Sequence, residues 1–274
     1  MTKVICFMNN KGGVGKTTSA HSIGLAWAKM GKRILFIDLD SQANLTSIIS
    51  DTDPLRDGWE RTIEDSFVAG AESGLPIIKS SDPLIDFVPS DLSLSDFDKF
   101  CNTISFKELL LLDLLEPVKK AGEYDFIIID CPPALGTLSY NAMVASDYVV
   151  LVANPDGLSY KGVQMVISLY NEIVGNKRFN PELRIAGLLV TRYERDTVSN
   201  VYLKRFMSEL PGYVIEPVIR KSTKVKQASS INKSIYEMDE GGKVAKDYLA
   251  ASMDLLVRVG EQVPEGSLEQ GSVE

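Results

Sequence analysis

The residues with the clearest chemical meaning form a glycine-rich loop near the start of the chain, residues 9–18, which reads NNKGGVGKTT. Glycines let the backbone curl so that its N–H groups point inward, and a helix that starts directly after such a loop attracts anions to its N-terminus. Lys16 adds a positive charge for the β- and γ-phosphates of a nucleotide, and the Thr17 hydroxyl is placed to ligate Mg²⁺. A glycine turn that is merely flexible would not explain a Lys-Thr pair at the start of a helix. The pattern therefore predicts a nucleotide-phosphate site with these binding residues: Lys11, Gly12, Gly13, Val14, Gly15, Lys16, Thr17 and Thr18.

Three aspartates follow apolar runs that have the length of strands. Asp38 and Asp40 come at the end of the run 34–37, and Asp130 ends the run 126–129. Ligands of α/β proteins bind at the carboxyl edge of the sheet, where such side chains meet. A structural role as the cap of a loop between strand and helix would explain Asp38 or Asp40 alone, but it explains the two together poorly. Because alternate residues of a strand point the same way, Asp38 and Asp40 can share one face. Mg²⁺ keeps several waters and uses few carboxylates, so Asp130 is predicted near the metal, partly through water.

A cluster of basic residues stands out against the acidic composition. The chain has a net charge of −8, yet residues 218–235 contain five Lys or Arg and no Asp or Glu. One interpretation is a solvated loop, because surface charge is ordinary. The other is a surface that contacts the phosphate backbone of DNA. For the second interpretation the candidate DNA-binding residues are Arg220, Lys221, Lys224 and Lys226.

The apolar pattern indicates which elements position these side chains. Apolar runs of strand length occur at residues 3–8, 33–37, 84–88, 126–129, 148–153, 185–190 and 214–219, and most are continuously apolar, which is typical of strands buried on both faces. Helical patterns lie between or after them at residues 17–30, 105–120, 161–174, 201–210 and 244–259. The alternation predicts an α/β fold, a doubly wound, mostly parallel sheet with helices on both faces. We expect a single domain over residues 1–260 and an acidic flexible tail over residues 261–274.

Composition excludes several other classes of protein. The chain is 45% hydrophobic and 24% charged, which is ordinary for a soluble globular protein. No apolar run reaches the roughly 18 residues of a membrane span. Cys6, Cys101 and Cys131 are odd in number and widely spaced, which indicates a reducing compartment and hence a cytoplasmic protein. The single histidine, His21, argues against a Ser-His-Asp triad or a histidine-rich metal site.

The loop sequence KGGVGKTT resembles the deviant Walker A motif of the ParA/MinD family, with Asn10 where the strict motif has its first glycine. The resemblance implies that Lys11 reaches across a dimer interface to the ATP of the partner, so that Lys11, Lys16 and Asp40 are the catalytic residues. It also implies that Asp40 positions the attacking water, while Thr17, Asp38 and Asp130 belong to the Mg²⁺ site. Ser41 and Ala43 stand where the family has proline and glycine.

Two further stretches are similar to family segments. Residues 190–193 resemble a stretch at the edge of the nucleotide. Lys224 occupies the place of a DNA-binding basic residue, whereas Arg220 replaces a proline near the adenine.

The resemblance, which covers residues 3–259, implies a partition ATPase. Such a protein binds ATP and Mg²⁺, forms a homodimer in ATP, and holds non-specific DNA at the nucleoid. A ParB-like centromere-binding partner stimulates its slow hydrolysis, and no membrane contact is expected.

Three related classes of protein share the loop. A MinD-like membrane ATPase needs a basic amphipathic C-terminal helix, which residues 244–259 match poorly. A nitrogenase-reductase-type metal-cluster protein needs paired cysteines in glycine-rich loops, and Cys101 lacks that context. An ATP-dependent amidoligase or synthetase of the same superfamily would turn over ATP only with a small substrate.

Overall fold

Parallel strands form the centre of the molecule in the computed structural model, which describes residues 1–50, 58–97, 101 and 104–264. Within these residues the strands are β1 (Lys3–Met8), β2 (Ile34–Asp38), β3 (Ile78–Lys79), β4 (Ile85–Val88), β5 (Phe126–Asp130), β6 (Tyr148–Ala153) and β7 (Arg184–Val190). The helices are α1 (Lys16–Lys29), α2 (Asn44–Ser50), α3 (Ile63–Ala69), α4 (Leu110–Ala121), α5 (Thr137–Ala145), α6 (Gly157–Gly175), α7 (Thr197–Glu209), α8 (Thr223–Ser230), α9 (Ile235–Asp239) and α10 (Lys243–Arg258). Short 3₁₀ turns cover Ala71–Ser73, Leu92–Asp96 and Lys107–Leu109.

The sheet order is β3-β4-β2-β5-β1-β6-β7, and every pairing is parallel except that of β3 with β4. Alternate residues of each central strand enter two different apolar layers, as Ile127 and Phe126 of β5 do. One layer packs against α1 and α10, and the other against α4 to α7. Both faces are therefore covered by helices, which explains the continuously apolar strands. The expected doubly wound fold is confirmed.

Helix α1 lies unusually close to the sheet because of a glycine. A Cβ on Gly24 would lie 2.2 Å from a ring carbon of Phe36 and 2.9 Å from a methyl group of Ile128. On its other side α1 contacts α10, where the Trp27 indole donates a 2.9 Å hydrogen bond to the Ser252 carbonyl. This packing holds α1 between the sheet and α10, and the glycine-rich loop directly precedes this helix.

The predicted strand over residues 214–219 is wrong. This segment runs beside β7, and the amides of Ile215 and Ile219 donate to the Leu188 and Val190 carbonyls at 2.9 and 2.8 Å. Pro217 between them has no N–H to donate, so the segment makes only isolated bridges to the described residues around it. Three predicted helices begin several residues from their predicted starts, since α4 begins at Leu110 rather than at residue 105, α6 at Gly157 rather than at residue 161, and α7 at Thr197 rather than at residue 201.

The carboxyl-terminal segment is tied to the sheet at its start. The Glu261 carboxylate contacts the ammonium groups of Lys3 at 2.5 Å and Lys32 at 3.2 Å. Most of the predicted tail, residues 265–274, lies outside the described residues. Among the described helices, none is long and apolar enough to cross a membrane.

Candidate functional site

The glycine-rich loop joins the end of β1 to the start of α1 and borders a cavity of about 230 Å³ at the carboxyl edge of the sheet. Gly13 and Gly15 have φ values of 72° and 93°, in the left-handed region that side chains disfavour, so glycine is needed at both positions. Of the predicted binding residues, all but Lys11 and Val14 line this cavity; Val14 is fully buried beneath the loop. Besides the two left-handed glycines, the predicted residues on the cavity wall are Gly12, Lys16, Thr17, Thr18 and Asp40.

Two polar side chains anchor the loop from beneath. The Asn9 amide donates to the Val152 carbonyl at 2.6 Å, and the Thr191 hydroxyl donates to the Val14 carbonyl at 2.7 Å. Asn9 and Thr191 are 1% and 2% exposed. Their partners lie 143 and 177 residues away in the chain, so no local pattern could have identified these two contacts. Their bonds hold the loop in the shape that turns its N–H groups toward an anion.

Lys16 is buried over the loop. Only 6% of this residue is exposed, and its ammonium donates to the Lys11 carbonyl at 3.3 Å. Burial lowers the pKa of Lys16, while the neighbouring Asp130 carboxyl favours its charged form. A positive charge with so few partners in the described chain suits a polyanionic ligand.

Lys11 turns in the other direction, toward its own chain. Its ammonium lies 2.9 Å from a carboxylate oxygen of Asp156 and 3.3 Å from the Ser159 hydroxyl. Asp156 also caps α6, because its carboxylate accepts a 2.8 Å bond from the Ser159 amide. The predicted role of Lys11, contact with the nucleotide of a second subunit, therefore requires that it leave Asp156.

Asp38 and Asp130 lie side by side because β2 and β5 pair in that register. Burial raises the pKa of Asp38 to about 6, although hydrogen bonds from Thr46 and the Asp40 amide oppose the shift. Burial also raises the pKa of Asp130 well above its usual range, and the adjacent Asp38 carboxyl adds to the effect. Neither Asp130 oxygen accepts a hydrogen bond of good geometry within the described chain, while Thr17 and Lys16 lie near enough to favour the ionised form.

These buried oxygens fit a divalent cation. Two adjacent buried carboxyls, of which Asp130 accepts no hydrogen bond of good geometry in the described chain, are costly in an apolar environment unless a positive charge joins them. No cluster of three or more His, Cys, Asp or Glu suited to a metal occurs among the described residues. The adjacent carboxylates of Asp38 and Asp130 agree with Mg²⁺, which takes few protein oxygens and completes its shell with phosphate and water.

Asp40 lies at the cavity wall on the loop between β2 and α2. Its amide donates to an Asp38 oxygen at 3.0 Å, and its own carboxylate accepts from the Gln42 amide at 3.1 Å. Ala43 on the same loop has a φ of 50°, a left-handed value that glycine adopts without strain. The glycine that the family has at this position would adopt this backbone conformation without strain, and this chain adopts it with alanine.

The basic segment divides into paired and unpaired cations. Both ends of the Arg220 guanidinium bind the buried Asp247 carboxylate, at 2.6 and 2.7 Å, and the Lys221 ammonium lies 2.8 Å from Glu194. Lys224 and Lys226 lie on α8, a helix that the sequence did not predict, and form no ion pair with any described residue. The four predicted DNA-binding residues are therefore adjacent, but only two keep an uncompensated charge.

A second cavity of about 640 Å³ lies beside the phosphate loop. It shares Gly15, Thr18, Arg192 and Ser229 with the first cavity, and its walls include Arg220, Lys221 and Lys226. Arg192 has a left-handed φ of 53° at this junction, on the stretch 190–193 that resembles a nucleotide edge. The side chains of Asn44, Ile48, Pro133 and Asn232 complete the first cavity without having been predicted.

Comparison with known proteins agrees with this geometry. Residues 2–185 match a family described as an AAA domain. The sporulation initiation inhibitor protein Soj of Bacillus subtilis is 33% identical over 255 residues, covering 91% of this chain and 96% of Soj. The chromosome partitioning protein ParA of Caulobacter vibrioides is 29% identical over 257 residues, covering 93% and 94% of the two chains.

A solved structure is also similar over nearly the whole chain. Cobyrinic acid a,c-diamide synthase from Mycobacterium smegmatis, with a bound ATP analogue and magnesium, has a TM-score of 0.79 and 26% identity. The alignment covers 96% of this chain and 98% of that one. The expected cofactors, ATP and Mg²⁺, are confirmed by this similarity. Because the family match includes the phosphate loop and all three aspartates, and the relatives cover nine-tenths of the sequence, the chain belongs to the ParA/MinD family of P-loop ATPases.

Proposed function

We propose that this protein is a partition ATPase in which Mg-ATP drives homodimerisation and non-specific DNA binding, and hydrolysis reverses both. The observation that carries the proposal is the placement of two lysines on one loop. Lys16 is buried over its own phosphate cavity, whereas Lys11 lies outside that cavity, 26% exposed, with Asp156 and Ser159 as its described partners. A lysine in that position can reach the nucleotide of a second subunit once it leaves Asp156. The name of the chromosome partitioning protein ParA, a relative over nearly the whole chain, supports a role in segregation.

In the proposed mechanism the loop amides and Lys16 hold the β- and γ-phosphates in the ground state. Thr17, Asp38 and Asp130 would hold Mg²⁺, which neutralises charge on the phosphate oxygens. Asp40 orients a water in line with the bond between the γ-phosphorus and the β-bridging oxygen. Attack by that water breaks the bond and yields ADP and phosphate, and Lys11 of the second copy stabilises the charge that develops.

Dimerisation in ATP is the first experiment. Light scattering should give the mass of a dimer with ATP and of a monomer with ADP, because only the γ-phosphate offers Lys11 a contact in the other subunit. Gly12→Val is the informative variant, since a Cβ at Gly12 meets no atom within 4 Å in the single chain and its φ is not left-handed. The variant should fold and bind ATP but stay monomeric. An unchanged mass in ATP, ADP and no nucleotide would refute the proposal.

The proposed setting is cytoplasmic and nucleoid-associated, with a ParB-like partner that stimulates slow hydrolysis. Lys224 and Lys226 on α8 are the side chains whose unpaired charge supports DNA contact. A MinD-like membrane role is less well supported, because α10 buries its apolar residues Tyr248, Leu255 and Leu256 against the body of the protein. A helix packed in this way cannot offer those residues to a bilayer.

An ATP-dependent amidoligase is the second candidate, and the similarity to cobyrinic acid a,c-diamide synthase favours it. Such an enzyme would hydrolyse ATP only with a small carboxylic acid and a nitrogen donor, and would be indifferent to DNA. Measuring ATP turnover with and without random duplex DNA separates the two candidates. Stimulation by DNA and a partner protein supports partition, whereas turnover that depends on a small acid supports the ligase.

A further inference from the structure

Two buried hydroxyls lie behind the loop that carries Asp40. Thr46 belongs to α2, and Ser90 follows β4 after Pro89. Both residues are 0% exposed. They meet because β2 and β4 are parallel neighbours with Ile37 opposite Val88, so the chain segments that leave the two strands run side by side.

A closed set of hydrogen bonds joins these hydroxyls to both aspartates. The Thr46 hydroxyl and amide both donate to one Asp38 oxygen, at 2.8 and 2.9 Å. The Thr46 hydroxyl accepts from the Ser90 amide at 3.0 Å, and the Ser90 hydroxyl donates to the Asp40 carbonyl at 2.9 Å. The Asp40 amide closes the set by donating to the other Asp38 oxygen at 3.0 Å.

These bonds determine where the Asp40 backbone lies. Its carbonyl is held by Ser90 and its amide by Asp38, so both peptide groups of this residue are fixed. The loop from Asp40 to Thr46 is thereby held at both ends. Neither Thr46 nor Ser90 lines the phosphate cavity, so their contribution to chemistry would be indirect.

We propose that Thr46 and Ser90 are positioning residues that hold Asp40 in the orientation required for hydrolysis. The inference rests on the proposed function, because it assigns Asp40 to the attacking water. A displacement of about 1 Å at such a residue costs as much as a hundredfold in rate, so two buried hydroxyls suffice to matter. Nucleotide binding depends mainly on the loop amides and Lys16, and the Thr46 amide still donates to Asp38 when the hydroxyl is removed, so binding should change much less than hydrolysis.

The test compares hydrolysis with binding in matched variants. Thr46→Val removes the hydroxyl with little change of shape, Thr46→Ser keeps it, and Ser90→Ala removes the second hydroxyl. Ser93→Ala is the control, since that exposed side chain bonds to Asp91 on the surface, away from the phosphate cavity. Single-turnover hydrolysis with enzyme in excess gives the chemical rate, a fluorescent ATP analogue gives Kd, and thermal unfolding reports on folding.

We expect Thr46→Val and Ser90→Ala to lower the hydrolysis rate about tenfold to a hundredfold while Kd changes less than about threefold. Thr46→Ser should recover most of the rate, and Ser93→Ala should match the wild type. The double variant should lose less than the product of the two single losses, because both hydroxyls act on one loop.

Rates that stay at the wild-type value in folded variants would overturn the inference and leave the proposed ATPase intact. Kd values that rise in parallel with the loss of rate would also overturn it, since the hydroxyls would then support the whole site. Absence of hydrolysis in the wild type, alone and with DNA, would refute the proposed function itself and the inference with it.

Discussion

Lys16 and Asp40 border the same cavity, yet they differ in what surrounds them. Lys16 is 6% exposed and lies over the glycine loop, whereas Asp40 is less buried and lies on the loop before α2. A cation in contact with phosphates acts in the ground state. A carboxylate that orients water acts mainly as the bond to the γ-phosphate breaks.

We therefore expect Lys16→Ala to abolish tight ATP binding and Asp40→Ala to preserve it while stopping hydrolysis. Equilibrium binding of a fluorescent nucleotide and single-turnover hydrolysis measure the two effects. The Asp40→Ala protein should also accumulate as an ATP-bound dimer. An equal loss of nucleotide affinity in both variants would contradict this division of roles.

The single histidine provides a test of burial on α1. Burial lowers the pKa of His21 to about 4, although Glu237 favours the charged form, and the ring packs 5.9 Å from that of Phe36. The unfolded chain has a histidine pKa of about 6.5, so it binds more protons than the folded chain between these values. The contribution of the neutral imidazole to the free energy of unfolding is therefore fully present above about pH 6.5 and is lost as the pH falls toward 4.

Relative to His21→Gln, the wild type should lose about 2 kcal/mol of unfolding free energy between about pH 7 and pH 5. Urea unfolding of both proteins at each pH measures the difference, and the comparison cancels the titration of Asp38 and other carboxyls. Because the chain has one histidine, its ring proton resonance can be assigned directly. A resonance that titrates near pH 6.5 in the folded protein would contradict the expectation.

At the scale of elements, α6 and the glycine loop meet through a glycine. A Cβ on Gly162 would lie 2.1 Å from the Asn9 side-chain oxygen and 3.4 Å from the Asn10 backbone carbon. Asn9 in turn donates to the Val152 carbonyl at the end of β6. The helix can therefore approach the loop only while residue 162 has no side chain.

Gly162→Ala should lower the free energy of unfolding by about 1–3 kcal/mol through overpacking. It should also weaken ATP binding, because Asn9 must move and its bond to β6 is lost. Gly175→Ala in the same helix is the control, since a Cβ there meets no atom within 4 Å. Chemical denaturation and nucleotide titration check both effects, and normal ATP affinity in a folded Gly162→Ala protein would disprove the coupling.

At the scale of the whole molecule, a net charge of −8 opposes DNA binding by one subunit. A dimer presents two copies of α8 on one scaffold, and linked weak sites gain from effective concentration. Because Arg220 and Lys221 are neutralised by Asp247 and Glu194, Lys224 and Lys226 are the contacts to count. Binding should depend on ATP, ignore sequence and weaken steeply with salt.

With about four phosphates neutralised per dimer, a plot of the logarithm of the DNA-binding constant against the logarithm of salt concentration should have a slope near −4. Lys224→Glu should reduce the magnitude of that slope by about 2 on every sequence, because the dimer carries the substitution twice. ATP binding should be unchanged, since Lys224 lines neither the phosphate cavity nor the larger cavity beside it. Lys177→Glu is the control, since this exposed residue lies between the end of α6 and the amino end of β7, whereas the phosphate loop and its cavities lie at the carboxyl ends of the strands. Fluorescence anisotropy with random duplexes measures the DNA affinity of both variants. Normal DNA binding by Lys224→Glu in ATP would show that α8 is an ordinary solvated surface.

Short-range patterns in the sequence were enough to predict the phosphate loop and the three aspartates. A loop between a strand and a helix is built from contiguous residues, and its glycines reveal their role through spacing alone. Asp38 and Asp130 each follow an apolar run directly, and parallel strands bring such ends together at one edge. The apolar runs, most of them without a polar interruption, indicated the layered architecture because strands covered on both faces need that pattern.

Contacts between distant segments were decided by the tertiary structure. The pairing of Lys11 with Asp156, the support of Asp40 by Ser90 and the neutralisation of Arg220 by Asp247 join residues 145, 50 and 27 positions apart. The segment 214–219 has the composition of a strand, but Pro217 and its place beside β7 leave it with isolated bridges. Periodicity and spacing report local preference, whereas these side chains acquire partners only when strand order and register bring them within hydrogen-bonding distance.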